Sequence, residues 1–303
     1  MENAFVVTPM SQNFSLEPGR TYNGSITVAN SGSATSDFAY KISVAPYSVM
    51  GEGYDADLAT MSNRSMVVDW IKVENPKGTL KPNETAEINF TINVPETAPA
   101  GGQYASLLVT EDAEAASNQG VKVNSVFEIA SLIYANVAGE TVTDGEILEN
   151  NIPGFAMTTP VKVGALISNT GNIHQTATTV LKVKNLITGE TILPTEQDDG
   201  RHSETIMPET TRRTEYEITG LPVVGVVHVS QTIYYNGISS IEMKDMLICP
   251  IWFMVVAFVV ICGVIFGGIF GIKTYKRKKS ARKITYSTCV LLGKSSIIMI
   301  NVT

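Results

Sequence analysis

The sequence predicts an all-β fold: two tandem Ig-like β-sandwiches followed by one transmembrane α-helix. Before residue 246, short runs rich in Val, Ile, Thr, Tyr and Phe alternate with clusters of Gly, Pro, Asn and Ser, a pattern typical of antiparallel sandwiches. Residues 139–151 hold few large apolar side chains and divide these runs into two groups. An uncharged stretch, residues 247–272, follows the second group.

The first sandwich is assigned to residues 1–138. Pro18 and Gly19 predict a turn before an alternating strand. The two-residue period places one row of that strand on a single face: Tyr22, Gly24, Ile26 and Val28. A similar turn at Pro82 precedes a second row: Ile88, Phe90, Ile92 and Val94. Polar residues 111–120 predict a hairpin tip, and residues 121–137 predict the last strand of this domain.

The second sandwich is assigned to residues 139–245. Apolar residues alternate from 161 to 167, which predicts a strand. Asn236 and Gly237 are the strongest short-range signal for a tight turn, so residues 223–243 are predicted to form a hairpin. Because this hairpin leads almost directly into the apolar stretch, we expect the second domain to stand close to a bilayer.

Residues 246–272 are assigned to the transmembrane helix. The 26 residues that begin at Leu247 carry no charge, and as a helix they would extend about 39 Å, enough to cross a hydrocarbon core. A helix buried in a protein core is the alternative, but such helices are rarely so uniformly apolar. Trp252 and Tyr275, near the two ends, suit the aromatic belts of a membrane.

A cationic cluster follows the apolar stretch: Lys273, Lys276, Arg277, Lys278, Lys279, Arg282 and Lys283. Because cationic flanks remain on the cytoplasmic side, residues 273–303 are predicted to form a basic cytoplasmic tail. The sandwiches would then lie outside a cell membrane that the chain crosses once. Neither a cationic start nor an apolar run follows Met1, so we expect the sequence to begin near a processing site or the helix to act as a reverse signal anchor.

Three glycines recur every four residues within the apolar stretch: Gly263, Gly267 and Gly271. This spacing places them on one face of a helix, where a second helix can approach closely. The hypothesis is a homo-oligomer formed through this face.

The composition excludes some partners and favours one compartment. All 29 acidic residues precede residue 246, together with 14 of the 22 basic ones, so this part has a formal charge of −15. A nucleic-acid ligand would require a basic surface. The cysteines (Cys249, Cys262 and Cys289) lie in the predicted anchor or tail, so the sandwiches cannot contain a disulfide. Since extracellular modules of eukaryotes often carry disulfides, their absence favours a bacterial surface protein.

No catalytic, cofactor or metal site is predicted. None of the histidines (His174, His202 and His228) has a His or Cys partner at metal-ligand spacing, and no Gly-x-Ser-x-Gly sequence occurs. Residues 51–57 bring three carboxylates together, as calcium would prefer, but they lack the EF-hand spacing, so a solvated loop is favoured. The pair Asp198 and Asp199 is a weaker signal of the same kind.

The order of features resembles the membrane-anchored partner proteins of Gram-positive WxL cell-surface systems. The residues that carry this resemblance are Phe14–Gly19 leading to Ile26–Asn30, Leu80–Thr85 leading to Val94-Pro95, and Gly101-Gly102 before a strand, completed by the anchor and its cations. Residues 98–103 depart from the longer Gly-rich loop of that family. The resemblance implies a peptidoglycan-binding domain and a host-binding domain. Residues 5–138 would engage cell-wall polymer or a surface protein, and residues 139–243 would be a second binding domain or a stalk.

A pilus-type chaperone is the alternative, because such proteins also pair two Ig-like domains. An exposed edge strand and a basic pair that holds the C-terminus of a partner would favour it. Arg212 and Arg213 are the candidate pair in the acidic part of the chain. An enzyme ranks third.

Overall fold

The computed structural model describes residues 5–31, 36–112 and 128–297, with side chains as far as residue 277 in the last range. The predicted polar tip therefore lies mostly outside the described residues. Within them, the first domain has these strands: β1 (Phe5–Thr8), β2 (Ser11–Leu16), β3 (Thr21–Asn30), β4 (Phe38–Pro46), β5 (Ser48–Met50), β6 (Asp55–Asp57), β7 (Ile71–Val73), β8 (Lys77–Leu80), β9 (Thr85–Asn93), β10 (Gly101–Glu111) and β11 (Glu128–Val137). A 3-10 helix, Met66–Trp70, precedes β7.

Two sheets of the first domain pack face to face. One has the order β1-β3-β9-β7, and the other has the order β2-β11-β10-β4-β8. The predicted alternation is confirmed, since Ile88, Phe90 and Ile92 of β9 are all buried. Phe5 stacks on Phe38 across this core, with ring centroids 4.3 Å apart. The apolar rows on the two inner faces therefore hold the sandwich together.

The second domain follows with nine further strands in the described residues: β12 (Gly145–Asn151), β13 (Phe155–Ala156), β14 (Val161–Asn169), β15 (Gln175–Asn185), β16 (Thr191–Leu193), β17 (Arg201–Ile206), β18 (Thr210–Ile218), β19 (Gly225–Tyr235) and β20 (Ile238–Ile248). One sheet has the order β12-β14-β18. The other has the order β13-β20-β19-β15-β16, with β17 also paired to β15. The chain is thus an all-β pair of Ig-like sandwiches, as the sequence predicts.

The predicted hairpin of the second domain is present. Tyr235 pairs with Ile238, and the turn residues Asn236 and Gly237 have φ values of 46° and 75°. These left-handed values are what a type I′ turn requires, and Asn and Gly adopt them most readily. The strands on either side of this turn form the longest antiparallel pair of the domain.

The end of the hairpin corrects the predicted start of the helix. β20 continues to Ile248, and Met246 and Ile248 are fully buried in the core of the second domain. The helix α1 begins at Ile251 and extends to Ile297. The sequence predicts a helix start that is too early, because a short apolar run does not by itself distinguish a buried strand from the start of a membrane helix.

The apolar part of α1 stands apart from both sandwiches. The segment Ile251–Arg277 is long and apolar enough to cross a membrane, and its most apolar window has no residue buried against the rest of the described chain. Pro250 immediately precedes the helix, where its missing N–H is not required. The backbone of α1 also passes through residues 284–297, which the sequence assigns to the basic cytoplasmic tail.

Candidate binding site at the domain interface

The hairpin of β5 and β6 reaches from the first domain onto the second. Its turn residue Tyr54 has a left-handed φ of 62°. The phenol oxygen of Tyr54 accepts a hydrogen bond from the Met207 N–H (2.8 Å) and shares one with the Thr210 hydroxyl (2.5 Å). The guanidinium carbon of Arg212 lies 4.6 Å from the centre of the Tyr54 ring, a cation–π contact. Residues 51–57, predicted as a solvated loop, are therefore part of the contact between domains.

Arg64 makes a second contact between the domains. Its Nη1 donates to the Asn172 carbonyl at 3.2 Å, and its Nη2 forms an ion pair with Glu209. The Gly102 N–H donates to the same carbonyl at 2.8 Å. The Arg64 side chain is only 19% exposed, so this charge is held in a partly desolvated position, where pairing matters more than at an open surface.

Three aromatic rings, of which Tyr104 is fully buried, form the third contact. The phenol oxygen of Tyr104 accepts a hydrogen bond from the His174 N–H (2.9 Å) and lies 3.2 Å from the His174 Nδ1. Tyr134 packs against both rings, at 5.8 Å from Tyr104 and 5.1 Å from His174. Burial lowers the pKa of His174 and raises the pKa values of both tyrosines. A neutral His174 fits this geometry, because its Nδ1 can accept the proton of the Tyr104 hydroxyl.

The arginine pair that could serve a pilus-type chaperone is already engaged. Arg213 pairs with Glu52 of the first domain and with Glu149 of the second, at 2.9 Å each. Arg212 forms an ion pair with Glu204 and donates to the Thr205 carbonyl. Both guanidinium groups are thus neutralised within the protein. Neither is presented as an unpaired cation for the carboxylate of a partner.

A groove of about 180 Å³ opens at this interface. It is lined by β5 and by segments on both sides of the contact, including Tyr47, Asn63, Arg64, Tyr104 and Glu209. These side chains offer aromatic faces together with hydroxyl, amide and charged groups. Such a surface can bind a small polar group by stacking and hydrogen bonding. In the described residues, no group of three His, Cys, Asp or Glu side chains could hold a metal ion.

Sequence reasoning did not identify this interface. The sequence predicts no role for Arg64 or Tyr104, places Tyr54 only within the loop 51–57, and offers His174 only as a metal ligand or a catalytic residue. The partners of each lie far away along the chain, 70 residues apart for Tyr104 and His174. A local pattern contains no signal for such contacts.

Comparisons with known proteins relate the chain to others by fold. No family model matches the sequence, and no curated protein matches it. The class 5 fimbriae chaperone CfaA is 15% identical, with a TM-score of 0.37, and the match covers 82% of this chain and 100% of that one. A chain from the chaperone–tip adhesin complex of CFA/I fimbriae is 14% identical (TM-score 0.39; 79% and 98% covered). The seventh PapD-like domain of human CEP192 is 16% identical (TM-score 0.29; 45% and 87% covered).

The predicted packing glycines of the helix lie on open surface. A Cβ atom built on Gly263, Gly267 or Gly271 would meet nothing within 4 Å. The same holds for Gly268, which lies outside the four-residue repeat. The glycine face is therefore accessible to another helix, and its role in association stays a prediction.

The predicted cationic anchor begins on the same helix. Lys273, Lys276 and Arg277 lie on α1 directly after the uncharged residues 251–272. The remaining cations lie where only the backbone is described: Lys278, Lys279, Arg282 and Lys283.

Proposed function

We propose that this protein is a membrane-anchored binding or scaffold protein of a bacterial cell surface. Its sandwiches lie outside, its helix crosses the membrane once, and its basic tail is cytoplasmic. One observation carries the proposal: β20 ends at Ile248 and α1 begins at Ile251. A folded domain thus stands directly on a helix that is long enough to span a bilayer. Seven cations after the apolar segment favour the cytoplasmic side for the tail.

The joined domains suit a binding or scaffolding role better than catalysis. Hydrogen bonds, ion pairs and ring contacts connect the two sandwiches at the hairpin, at Arg64 and at Tyr104. Such a junction presents the first domain in a defined orientation. The ligand we propose is a cell-wall polymer or a surface protein, as the resemblance to WxL partner proteins implies, and the groove beside Tyr47 is the candidate contact.

Protease treatment of intact cells tests the topology. In bacteria that display the full chain, we expect added protease to degrade residues before 246 while an epitope tag at the C-terminus stays protected. If the tag is lost without cell lysis, the proposed orientation is wrong. If the sandwiches stay intact while a known surface protein is cleaved, the proposed surface location is wrong.

Binding is tested with the full chain in detergent micelles. We expect it to sediment with purified cell walls, with surface proteins either retained or stripped. Tyr47→Ala, in the groove, should weaken this binding. Tyr234→Ala is the matched control, because Tyr234 is 53% exposed on the second domain and does not line this groove. If cell walls and surface extract capture nothing, the binding role is wrong.

A second candidate function is the capture of a partner strand, as in the chaperone alternative. β2 pairs with β11 only from Leu132 onward. In the described residues, Glu128–Ala130 of β11 therefore pair with β10 on one side and with no strand on the other. An edge of this kind can accept an extended peptide. If the surface extract supplies such a partner, amide exchange at residues 128–131 should slow on binding. Unchanged exchange in a confirmed complex would rule this mode out.

A further inference from the structure

The end of the second domain next to the helix exposes several apolar side chains. Six large apolar side chains are exposed there: Phe155 (41%), Met157 (46%), Leu186 (48%), Ile187 (71%), Val223 (62%) and Leu247 (45%). We call this set the apolar end. Soluble surfaces rarely gather so many exposed apolar side chains in one place, and such patches mark sites of contact with proteins or membranes.

Strand pairing shows that these side chains lie at one end of the sheet. Phe155 pairs with Leu247, and Leu247 pairs with Val226 of β19. The Leu186 N–H donates to the Val226 carbonyl at 2.9 Å. A Cβ atom on Gly225 would lie 3.7 Å from the Ile187 Cδ1. Three separate segments thus converge beside the last residues of β20.

These segments contain no charge, although the chain before residue 246 is strongly acidic. Residues 154–160, 185–189 and 219–225 include no Asp, Glu, Lys or Arg. The nearest charged residues lie outside these segments: Lys184, Glu190, Lys244 and Asp245. Lys162, which forms an ion pair with Glu215, follows the first of these segments by two residues. The opposite end of the same domain, around Asn172 and Glu209, is occupied by the first domain.

We infer that the apolar end of the second domain rests in the interfacial layer of the lipid bilayer. This inference rests on the proposed membrane anchoring. The apolar end is continuous with the anchor, since Ile251 of α1 is four residues after Leu247. An extended linker of that length spans no more than about 14 Å. Lipid headgroups and the upper acyl chains would cover the exposed side chains, and the nearest charged groups, Lys244 and Asp245 of β20, would lie among the headgroups.

The consequence is a restricted orientation of the two sandwiches relative to the membrane. With one helix as its only contact, the domain could tilt freely about residues 249–250. Contact between the apolar end and the lipid restrains this tilt. Since the first domain is joined to the opposite end, the restraint would direct it away from the membrane surface toward its ligand.

Tryptophan quenching in vesicles tests the inference with the full chain. Trp252→Phe is the background, which leaves only the buried Trp70. Ile187→Trp and Val223→Trp place probes at the apolar end, and Ile241→Trp is the control because Ile241 is also exposed (57%) but lies six residues before Leu247 on β20. The chains are reconstituted into vesicles of phosphatidylcholine, with or without bromine on the acyl chains.

We expect brominated lipid to quench the added tryptophan in both the Ile187→Trp and the Val223→Trp chains. In vesicles without bromine, we expect the emission maximum of these two chains to lie at a shorter wavelength than that of the Ile241→Trp control. The control should keep the emission of a solvent-exposed tryptophan. Two probe sites are used so that the test can still be made if one of the variants fails to fold. The unmodified chain reports on the anchor through Trp252.

The same measurement separates failure of the inference from failure of the anchor. If Trp252 is quenched but neither probe differs from the control, the inference is wrong and the anchor stands. If Trp252 is not quenched either, the anchor and the inference fall together.

Discussion

Tyr104 of the first domain and His174 of the second are joined by two hydrogen-bonding contacts through one phenol oxygen. This oxygen accepts the His174 N–H at 2.9 Å and lies 3.2 Å from the His174 Nδ1. Tyr104 is 1% exposed, so water cannot readily replace the phenol. The junction between the sandwiches therefore depends on a buried polar contact as well as on surface ion pairs.

Tyr104→Phe should weaken this junction. The ring contacts remain, but the partly buried N–H and ring nitrogen of His174 lose their partner, which costs about 1 kcal/mol. Urea unfolding of the full chain in micelles measures the loss. Tyr234→Phe is the control, since Tyr234 is 53% exposed, and it should leave the midpoint unchanged. An equal effect of both changes would contradict the role given to Tyr104.

The junction should also weaken as the pH falls. Burial lowers the pKa of His174 below its ordinary value of 6.5, so the folded state binds a proton less readily than the unfolded chain. Stability is then complete above pH 6.5 and is lost as the pH falls through the lower pKa of the folded state. The neighbouring Tyr104 and Tyr134 stay neutral throughout, because burial raises their pKa values.

His174→Gln separates this effect from the titration of the acidic surface. We expect the unfolding midpoint of the wild-type chain to fall more steeply between pH 7 and pH 5 than that of the variant. His228→Gln is the control for replacing an imidazole with an amide outside the junction, because His228 is 41% exposed beside Asp245. Parallel profiles for all three chains would show that protonation of His174 is not linked to unfolding.

Arg213→Ala should loosen the contact of the β5–β6 hairpin. It removes the side-chain bonds to Glu52 and Glu149, and only the backbone bond from the Arg213 N–H to the Glu52 carbonyl remains. These groups are solvent-exposed, so global stability should change little. Amide exchange at residues 51–54 should accelerate. Lys162→Ala, which removes an ion pair within the second domain, should not affect these amides, and an equal response would disprove the local effect.

The parts of the fold that the sequence predicted are those with a strict local rule. Ile88, Phe90 and Ile92 follow the period of a half-buried strand, and Asn236-Gly237 satisfies the backbone of a tight turn. β12 was missed because its register shifts between Ile147 and Glu149, which breaks the alternation. The candidate site was missed because it is formed between domains by residues distant in sequence.

Ile248→Ala tests the corrected boundary between strand and helix. Ile248 is fully buried in the second domain, whereas the adjacent Leu247 is 45% exposed. Loss of a buried isoleucine costs about 2–5 kcal/mol, so the outer part should unfold at clearly lower urea. Leu247→Ala should shift stability by no more than about 0.5 kcal/mol. If the two variants behaved alike, Ile248 would not belong to the core.

Gly267→Ile tests the association face of the helix. Gly267 shares one face with Gly263 and Gly271, and an isoleucine there would hold a second helix away. Gly268→Ile adds the same side chain about 100° around the helix, on equally open surface. In a membrane reporter of self-association, the first change should abolish the signal and the second should preserve it. Because both changes add the same apolar volume, a difference between the two variants can only come from the face of the helix on which the isoleucine lies. If the two variants gave the same signal, the glycine repeat would not be an oligomerisation site.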